Sequence, residues 1–239
     1  MYRETNGRSV AKAVSWRVLG TLATAVLVFV FTGRVGVALT VGGLEFVAKI
    51  ALFWVHERIW DRVKLGRREA VPAVVWFTGL SGSGKTTVSR WVHDELKRRQ
   101  IRVEYLDGDT IRDLFPTTGF SKAERDQHIK RVGYLASKLE QNGVFVVASF
   151  ISPYAESRRF VRGLCKNFIE VHVSTSLEEC ERRDVKGLYK RARRGEITNF
   201  TGISDPYEAP ESPELTLDTQ FLSVDQAGAK VLDRLRHHF

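Results

Sequence analysis

The 239-residue chain has two cysteines, Cys165 and Cys180, one methionine and six prolines. So few cysteines exclude a disulfide scaffold, and the two need not pair, which suits a reducing cytosol. With 43% of its residues hydrophobic the chain is too apolar to be disordered, and it carries no collagen-like or low-complexity bias. Acidic residues are the scarcer charge: 28 Asp and Glu stand against 37 Lys and Arg, a net of +9 with His neutral. Such an excess invites a nucleic-acid reading, so its location matters. Residues 1–69 hold eleven basic and five acidic side chains, a net of +6, and the other 170 residues hold only +3. No basic helix interleaved with aromatic platforms appears in that longer part, and no nucleic-acid partner is expected.

What the shorter part does have is long apolar runs. Fourteen uncharged residues run from Val18 to Phe31, extended backwards through Val14, Ser15 and Trp16 past Arg17, and a second run spans Val35 to Val55. A hydrocarbon core of roughly 30 Å needs about 20 residues of helix, so the pattern predicts two transmembrane helices at about 14–31 and 35–55, joined at Thr32-Gly33-Arg34. Glu45 and Lys49 interrupt the second run, but at i and i+4 they can pair. Arg17 can snorkel, and Trp16, Trp54 and Trp60 fall where interfacial belts would put them. A buried helical hairpin in a soluble protein also fits the pattern. A cleaved signal peptide fits poorly, because a second apolar run follows at once.

Arg3, Arg8, Lys12 and Arg17 precede the first run, and Arg58, Arg62, Lys64, Arg67 and Arg68 follow the second. By the positive-inside rule both ends face the cytoplasm, which gives a multi-pass inner-membrane protein with its longer part cytoplasmic. The segment also resembles a small two-span bacterial membrane module of uncharacterised function, through K-A-x-S-W-R at Lys12 to Arg17 and H-E-R-x-W at His56 to Trp60. The expected organisation is a membrane hairpin over 1–69 and a second domain over 70–239.

That second domain opens with a strand pattern, Ala73 to Thr78, that runs into Gly79-Leu80-Ser81-Gly82-Ser83-Gly84-Lys85-Thr86 and then a helix with apolar Val88, Trp91, Val92 and Leu96. This is G-x-x-x-x-G-K-[ST] in its strand-to-helix context, a P-loop. Its glycines let backbone N–H groups wrap phosphates, Lys85 reaches the outer phosphates, and the Thr86 hydroxyl can ligate Mg²⁺. The nucleotide-binding residues are therefore Gly79 to Thr87. The strand-like Val144 to Ser149 ends without the acidic residue of a motor ATPase, and no guanine-reading N-K-x-D occurs. Both absences favour a small-molecule kinase. Asp107-Gly108-Asp109 follows a second strand pattern, Arg102 to Leu106, where open α/β sheets place ligands and a carboxylate can take a hydroxyl proton.

These residues, with others further on, resemble the adenylyl-sulfate kinases over nearly all of the second domain. The matching motifs are Gly79 to Thr87, Leu106 to Asp109 with Ile111-Arg112, Gly119-Phe120-Ser121 with Arg125, Phe150 to Tyr154, Lys186 to Lys190, Asn199 to Ile203, and Tyr207 to Pro210. The resemblance implies an α/β P-loop kinase with a mainly parallel sheet flanked by helices. It implies transfer of phosphate from MgATP to the 3′-hydroxyl of adenosine 5′-phosphosulfate, with ATP and Mg²⁺ required, and it leaves a homodimer open. By resemblance Asp109 and Lys85 are catalytic, and Arg112 and Arg125 hold the phosphosulfate. Phe120 and Phe200 stack the adenine, and Ile151, His128 and Lys186 line the substrate. Ser152 matches a family serine assigned as a phosphoserine intermediate, and a hydroxyl that contacts ligand is the alternative. Lys186 to Arg194 looks like the family's mobile lid.

Three positions depart from the commoner family pattern: His128 for Asn, Ala155 for Arg, and Val185 for Pro. The lost Arg beside an anion site keeps a second reading open, a kinase for a related 5′-substituted nucleotide. A third is a membrane scaffold that binds nucleotide without catalysis.

Overall fold

The computed structural model describes residues 3–4, 6–31, 38–63, 67–68, 70–114 and 119–239. Within the N-terminal helices, the side chains of Arg17, 24–29 and 38–47 are among those outside that description. The chain divides into two compact units, Met1–Glu69 and Ala70–Phe239.

In the first unit a two-residue strand β1 (Arg3–Glu4) pairs antiparallel with β2 (Arg67–Arg68), and between them run α1 (Asn6–Phe31) and α2 (Ala38–Arg62). Both helices reach beyond the expected bounds. Among the described residues, however, no helix is long and apolar enough to cross a membrane. Arg8, Lys12 and Arg17 lie on α1, and Glu45, Lys49, Glu57, Arg58, Asp61 and Arg62 lie on α2, each costly at bilayer depth. The Thr32-Gly33-Arg34 turn, the Arg17 side chain and the expected Glu45–Lys49 pair fall outside the described residues.

The motif residues of this unit come together where α1 begins and α2 ends. Trp60 Nε1 donates to His56 Nε2 (3.0 Å) and to Ser15 Oγ (3.3 Å), and Ser15 Oγ lies 2.9 Å from His56 Nε2. Trp16 packs edge-on against Phe53 at 5.1 Å, and Lys12 pairs with Glu57 at 3.6 Å. Trp60 is 9% exposed, so it bonds the two helices together instead of forming an interfacial belt, while Trp54 is exposed beneath the Arg58 guanidinium.

The second unit is a five-stranded sheet, all parallel, in the order β4-β5-β3-β6-β7. Its elements are β3 (Val74–Thr78), α3 (Lys85–Arg98), β4 (Val103–Asp107), α4 (Gly108–Leu114), α5 (Lys122–Gln141), β5 (Phe145–Ser149), α6 (Ala155–Leu164), β6 (Phe168–Val173), α7 (Leu177–Arg183), α8 (Leu188–Arg193), β7 (Leu215–Leu217) and α9 (Val224–Arg234). Alternate residues of β3 feed opposite cores, as a strand covered on both faces requires. Val75 and Phe77 pack with Val88, Val92 and Leu96 of α3 and Val231 of α9. Val74 and Trp76 pack with Ile129 and Val132 of α5 and Val161 of α6. Burying a side chain of this size contributes roughly 1.5–3 kcal/mol, so these two layers hold the central strands rigid under the loops at their C-terminal ends. Three of the five strands are anticipated by the sequence patterns. β6, with Glu170 and His172 in its run, and the three-residue β7 are additions from the structure.

Candidate active site

The loop between β3 and α3 is shaped by glycines in conformations that other residues resist. Gly79, Gly82 and Gly84 have φ of 150°, 74° and 92°. A Cβ on Gly79 would sit 2.5 Å from the Val173 carbonyl oxygen, and one on Gly84 would sit 3.0 Å from Thr219 Oγ1. The loop is thus pressed against the end of β6 and the segment after β7. Hydroxyls secure it there: Thr219 Oγ1 donates to the Ser83 carbonyl (2.8 Å), as does Thr175 Oγ1 (3.2 Å), and Arg183 Nη1 donates to Thr219 Oγ1 (2.8 Å). This cradle, closed by the N-terminus of α3, fits a polyphosphate. Thr86 and Thr87 are exposed on the first turn of α3.

Lys85 is 7% exposed, and its Nζ donates to the Leu80 carbonyl at 2.6 Å. Burial pulls its pKa down to about 8, with Cys180 opposing, Lys186 adding to the fall and Asp109 opposing it. Lys85, Lys186 and Asp109 therefore share one electrostatic site. Asp109 stands in the first turn of α4, directly past the end of β4, with its carboxylate 76% exposed and ion-paired to Lys186 Nζ.

Around it stand side chains from separate segments. Arg112 Nη1 donates to the Gly119 carbonyl (3.1 Å), its Cζ lies 4.4 Å from the Phe120 ring centroid, and burial lowers its pKa. Phe120 is 60% exposed. Ser121 caps α5 in a capping box with Glu124, which sets Arg125 and His128 three residues apart on one face. Arg125 does not stand free for a phosphosulfate: its guanidinium donates to Thr201 Oγ1 (2.7 Å), Asp205 Oδ2 (3.0 Å) and the Asn199 carbonyl. In this structure it holds the loop that carries Phe200, whose ring meets Tyr189 edge-on at 5.0 Å.

His128 is buried, and among the described residues neither of its ring nitrogens has a hydrogen-bond partner; Ser149 Oγ shares that condition. Burial, with help from Arg112 and Arg131, holds the His128 pKa down at about 4, so the imidazole is neutral at physiological pH. A neutral ring offers one donor and one acceptor.

Ser152 has φ of 38° and is 1% exposed, and its Oγ accepts from Trp76 Nε1 at 3.1 Å. Its hydroxyl faces the core indole. The Ile151 carbonyl beside it accepts from Thr78 Oγ1 at 2.8 Å. The basic stretch 186–194 is partly helical and anchored: Tyr189 OH donates to the Ser81 carbonyl at 2.9 Å, and Arg191, Arg193 and Arg194 pair with Glu196, Glu181 and Glu196. Lys186 is the member of the run that turns to Asp109.

Thr175, Thr219, Arg183, Asp205 and Arg158 act here without having been singled out in the sequence. Each works through a partner 36 to 92 positions away, and the partner is what gives it meaning.

The adenylylsulphate kinase family matches residues 71–218, and a family described as predicted membrane protein (DUF2061) matches 10–61. An adenylyl-sulfate kinase of Picosynechococcus is 51% identical over 162 residues, 67% of this chain and 92% of that protein. The adenylyl-sulfate kinase of Halothermothrix orenii is likewise 51% identical, over 67% of this chain and 88% of its own length. Among solved structures, the Mycobacterium tuberculosis APS kinase in complex with AMPPNP and APS is 43% identical, with a TM-score of 0.67 over 69% of this chain and 98% of that one. With a match over more than half its length and relatives this similar, the chain belongs to the adenylylsulphate kinase family.

Proposed function

We propose that this chain transfers the γ-phosphoryl group of ATP to the 3′-hydroxyl of adenosine 5′-phosphosulfate, giving 3′-phosphoadenosine 5′-phosphosulfate and ADP. The observation that carries the reading is the meeting of Lys85, Asp109 and Lys186 at the C-terminal edge of the sheet, beside a phosphate cradle, in a member of this family.

The P-loop N–H groups and the Lys85 ammonium bind the β- and γ-phosphates, so the burial cost that lowers the Lys85 pKa is offset by the anion it meets. Mg²⁺, bound with the nucleotide, neutralises phosphate charge, and the Thr86 hydroxyl is the ligand this chain offers it. Phe120 and Phe200 take the adenine of the acceptor, Arg112 and Lys186 meet its anionic end, and His128 and Ile151 line it. The 3′-hydroxyl gives its proton to the Asp109 carboxylate as its oxygen bonds to the γ-phosphorus, and the bond to the β–γ bridging oxygen breaks to release ADP. In-line transfer by a positioned base needs no covalent intermediate. With its hydroxyl turned to Trp76, Ser152 serves by fixing the 151–154 backbone.

The N-terminal unit tethers this activity to the inner membrane with the kinase on the cytoplasmic side. Support comes from the match of 10–61 to a predicted membrane family, from the apolar runs and from the basic flanks. The test is a product assay on membranes from cells making the full chain, beside a form lacking 1–69. ATP- and Mg²⁺-dependent formation of the 3′-phosphorylated product is expected, sedimenting with membranes only when 1–69 is present. ATP turnover without that product sinks the substrate assignment, and full-length activity in the supernatant after high salt sinks the tether.

A further inference from the structure

Beneath the acceptor side lies a buried cation that the reaction as described does not use. Arg158, on the first turns of α6, is 3% exposed. Its guanidinium donates in three directions: Nε to Glu170 Oε1 on β6 (2.8 Å), Nη1 to the Ser152 carbonyl (2.6 Å) and Nη2 to the Glu208 carbonyl (2.6 Å). Its Cζ also lies 5.9 Å from the Tyr207 ring centroid. A charge buried this deeply is costly unless paired, and Glu170, itself 8% exposed on its side chain, is the pair. Glu170 would have sufficed for neutrality. The two carbonyl bonds need the planar fork of an arginine, and a lysine could not make both.

Those carbonyls belong to two loops of the acceptor side. Ser152, held at a φ of 38° that non-glycine residues avoid, follows Ile151. Glu208 closes the loop that starts at Asn199 and carries Phe200. Further bonds join the same loops: Glu208 N donates to the Pro153 carbonyl (2.8 Å), Ala155 N to Glu208 Oε2 (2.7 Å), and Tyr154 OH to Asp205 Oδ2 (2.7 Å), which also takes Arg125. The P-loop hangs on a different set, Thr175, Thr219 and Arg183.

We infer that Arg158 is a positioning residue for the acceptor nucleotide alone: it fixes the 151–154 and 199–208 loops to β6 at one registration and leaves the ATP cradle untouched. This rests on the acceptor reading above. It predicts a split between the two substrates that loss of stability by itself would not produce.

The test compares Arg158→Gln and Arg158→Lys with Arg162→Gln in the full chain. Arg162 belongs to the outer half of the same ion cluster, bonded to Glu214 (2.6 and 2.8 Å) and Glu170 (3.2 Å), and touches neither loop. Losing two bonds to loop carbonyls should raise KM for adenosine phosphosulfate by about tenfold or more, with KM for ATP held within about twofold. Arg158→Lys keeps the cation beside Glu170, so it preserves the fold if the glutamine variant does not, and the same split of smaller size is expected from it. Arg162→Gln should lower the melting temperature with both KM values unchanged. The inference is overturned if the KM values for ATP and acceptor rise together, if neither Arg158 variant changes their ratio, or if Arg162→Gln reproduces the split. A wild-type chain that makes no 3′-phosphorylated product defeats the functional reading first, and this one with it.

Discussion

The ATP side and the acceptor side of this site are held in different ways. The cradle for ATP is one uninterrupted segment, Gly79 to Thr87, fixed by the hydroxyls of Thr175 and Thr219 on the Ser83 carbonyl, with Arg183 behind Thr219. The acceptor side, as proposed, draws on four segments, 107–112, 119–128, 150–155 and 199–208, and is fixed by ion pairs, the buried Arg158 with Glu170 and the partly buried Arg125 with Asp205. Phosphate is a common ligand that backbone N–H groups recognise wherever a loop can curve. A particular nucleoside needs surfaces from several directions, and ionic cross-links set their spacing.

Asp109→Asn breaks the comparison most severely, because it separates binding on both sides from transfer between them. A general base contributes about 10²- to 10⁴-fold, so kcat should fall by that order while Kd values for ATP and acceptor stay near those of the parent. Steady-state rates beside equilibrium binding check this, and near-normal turnover would remove Asp109 as base.

Above neutrality, a pH titration probes the ATP side through Lys85. Free Lys85 loses its proton near pH 8, below the ordinary lysine value of 10.5, and bound phosphates favour the charged form. ATP affinity should therefore be flat below pH 8 and fall by up to about tenfold per pH unit above it, with proton uptake on binding. Calorimetry in buffers of different ionisation enthalpy measures that uptake; its absence at pH 9 contradicts the assignment.

The smallest expected effect lies on the acceptor side. Phe120→Ala and Phe200→Ala each remove one aromatic face, worth about 0.5–1.5 kcal/mol, so KM for the acceptor should rise by about twofold to tenfold with that for ATP unchanged. Equal sensitivity of both substrates would mean that the two sides are not anchored independently.

The same contrast explains what could be read in the sequence. The P-loop is contiguous, its glycines are demanded by backbone shape, and its flanking strand and helix have clear periodicity, so sequence and structure coincide there. Asp109 at the end of β4 follows from the same logic. Arg125 was expected, by resemblance, to hold the phosphosulfate; its bond to Asp205 was not legible, since eighty positions separate them. β6 defies its pattern because a glutamate in a buried strand makes sense only once Arg158 is known to lie beside it. In the N-terminal unit, hydropathy pointed to Trp60 as an interfacial residue; its bond to Ser15 depends on the pairing of two helices, which composition does not encode.

The short stretch 184–194 touches both sides. Through Tyr189 it is bonded to the Ser81 carbonyl of the ATP cradle, and through Lys186 to the carboxylate of Asp109, the proposed base. Should ATP move the Tyr189 contact and the acceptor the Lys186 contact, the two bindings become linked, and whatever factor ATP applies to acceptor affinity, the acceptor must apply to ATP. The two sides are anchored apart, and this stretch is the one described here that touches both.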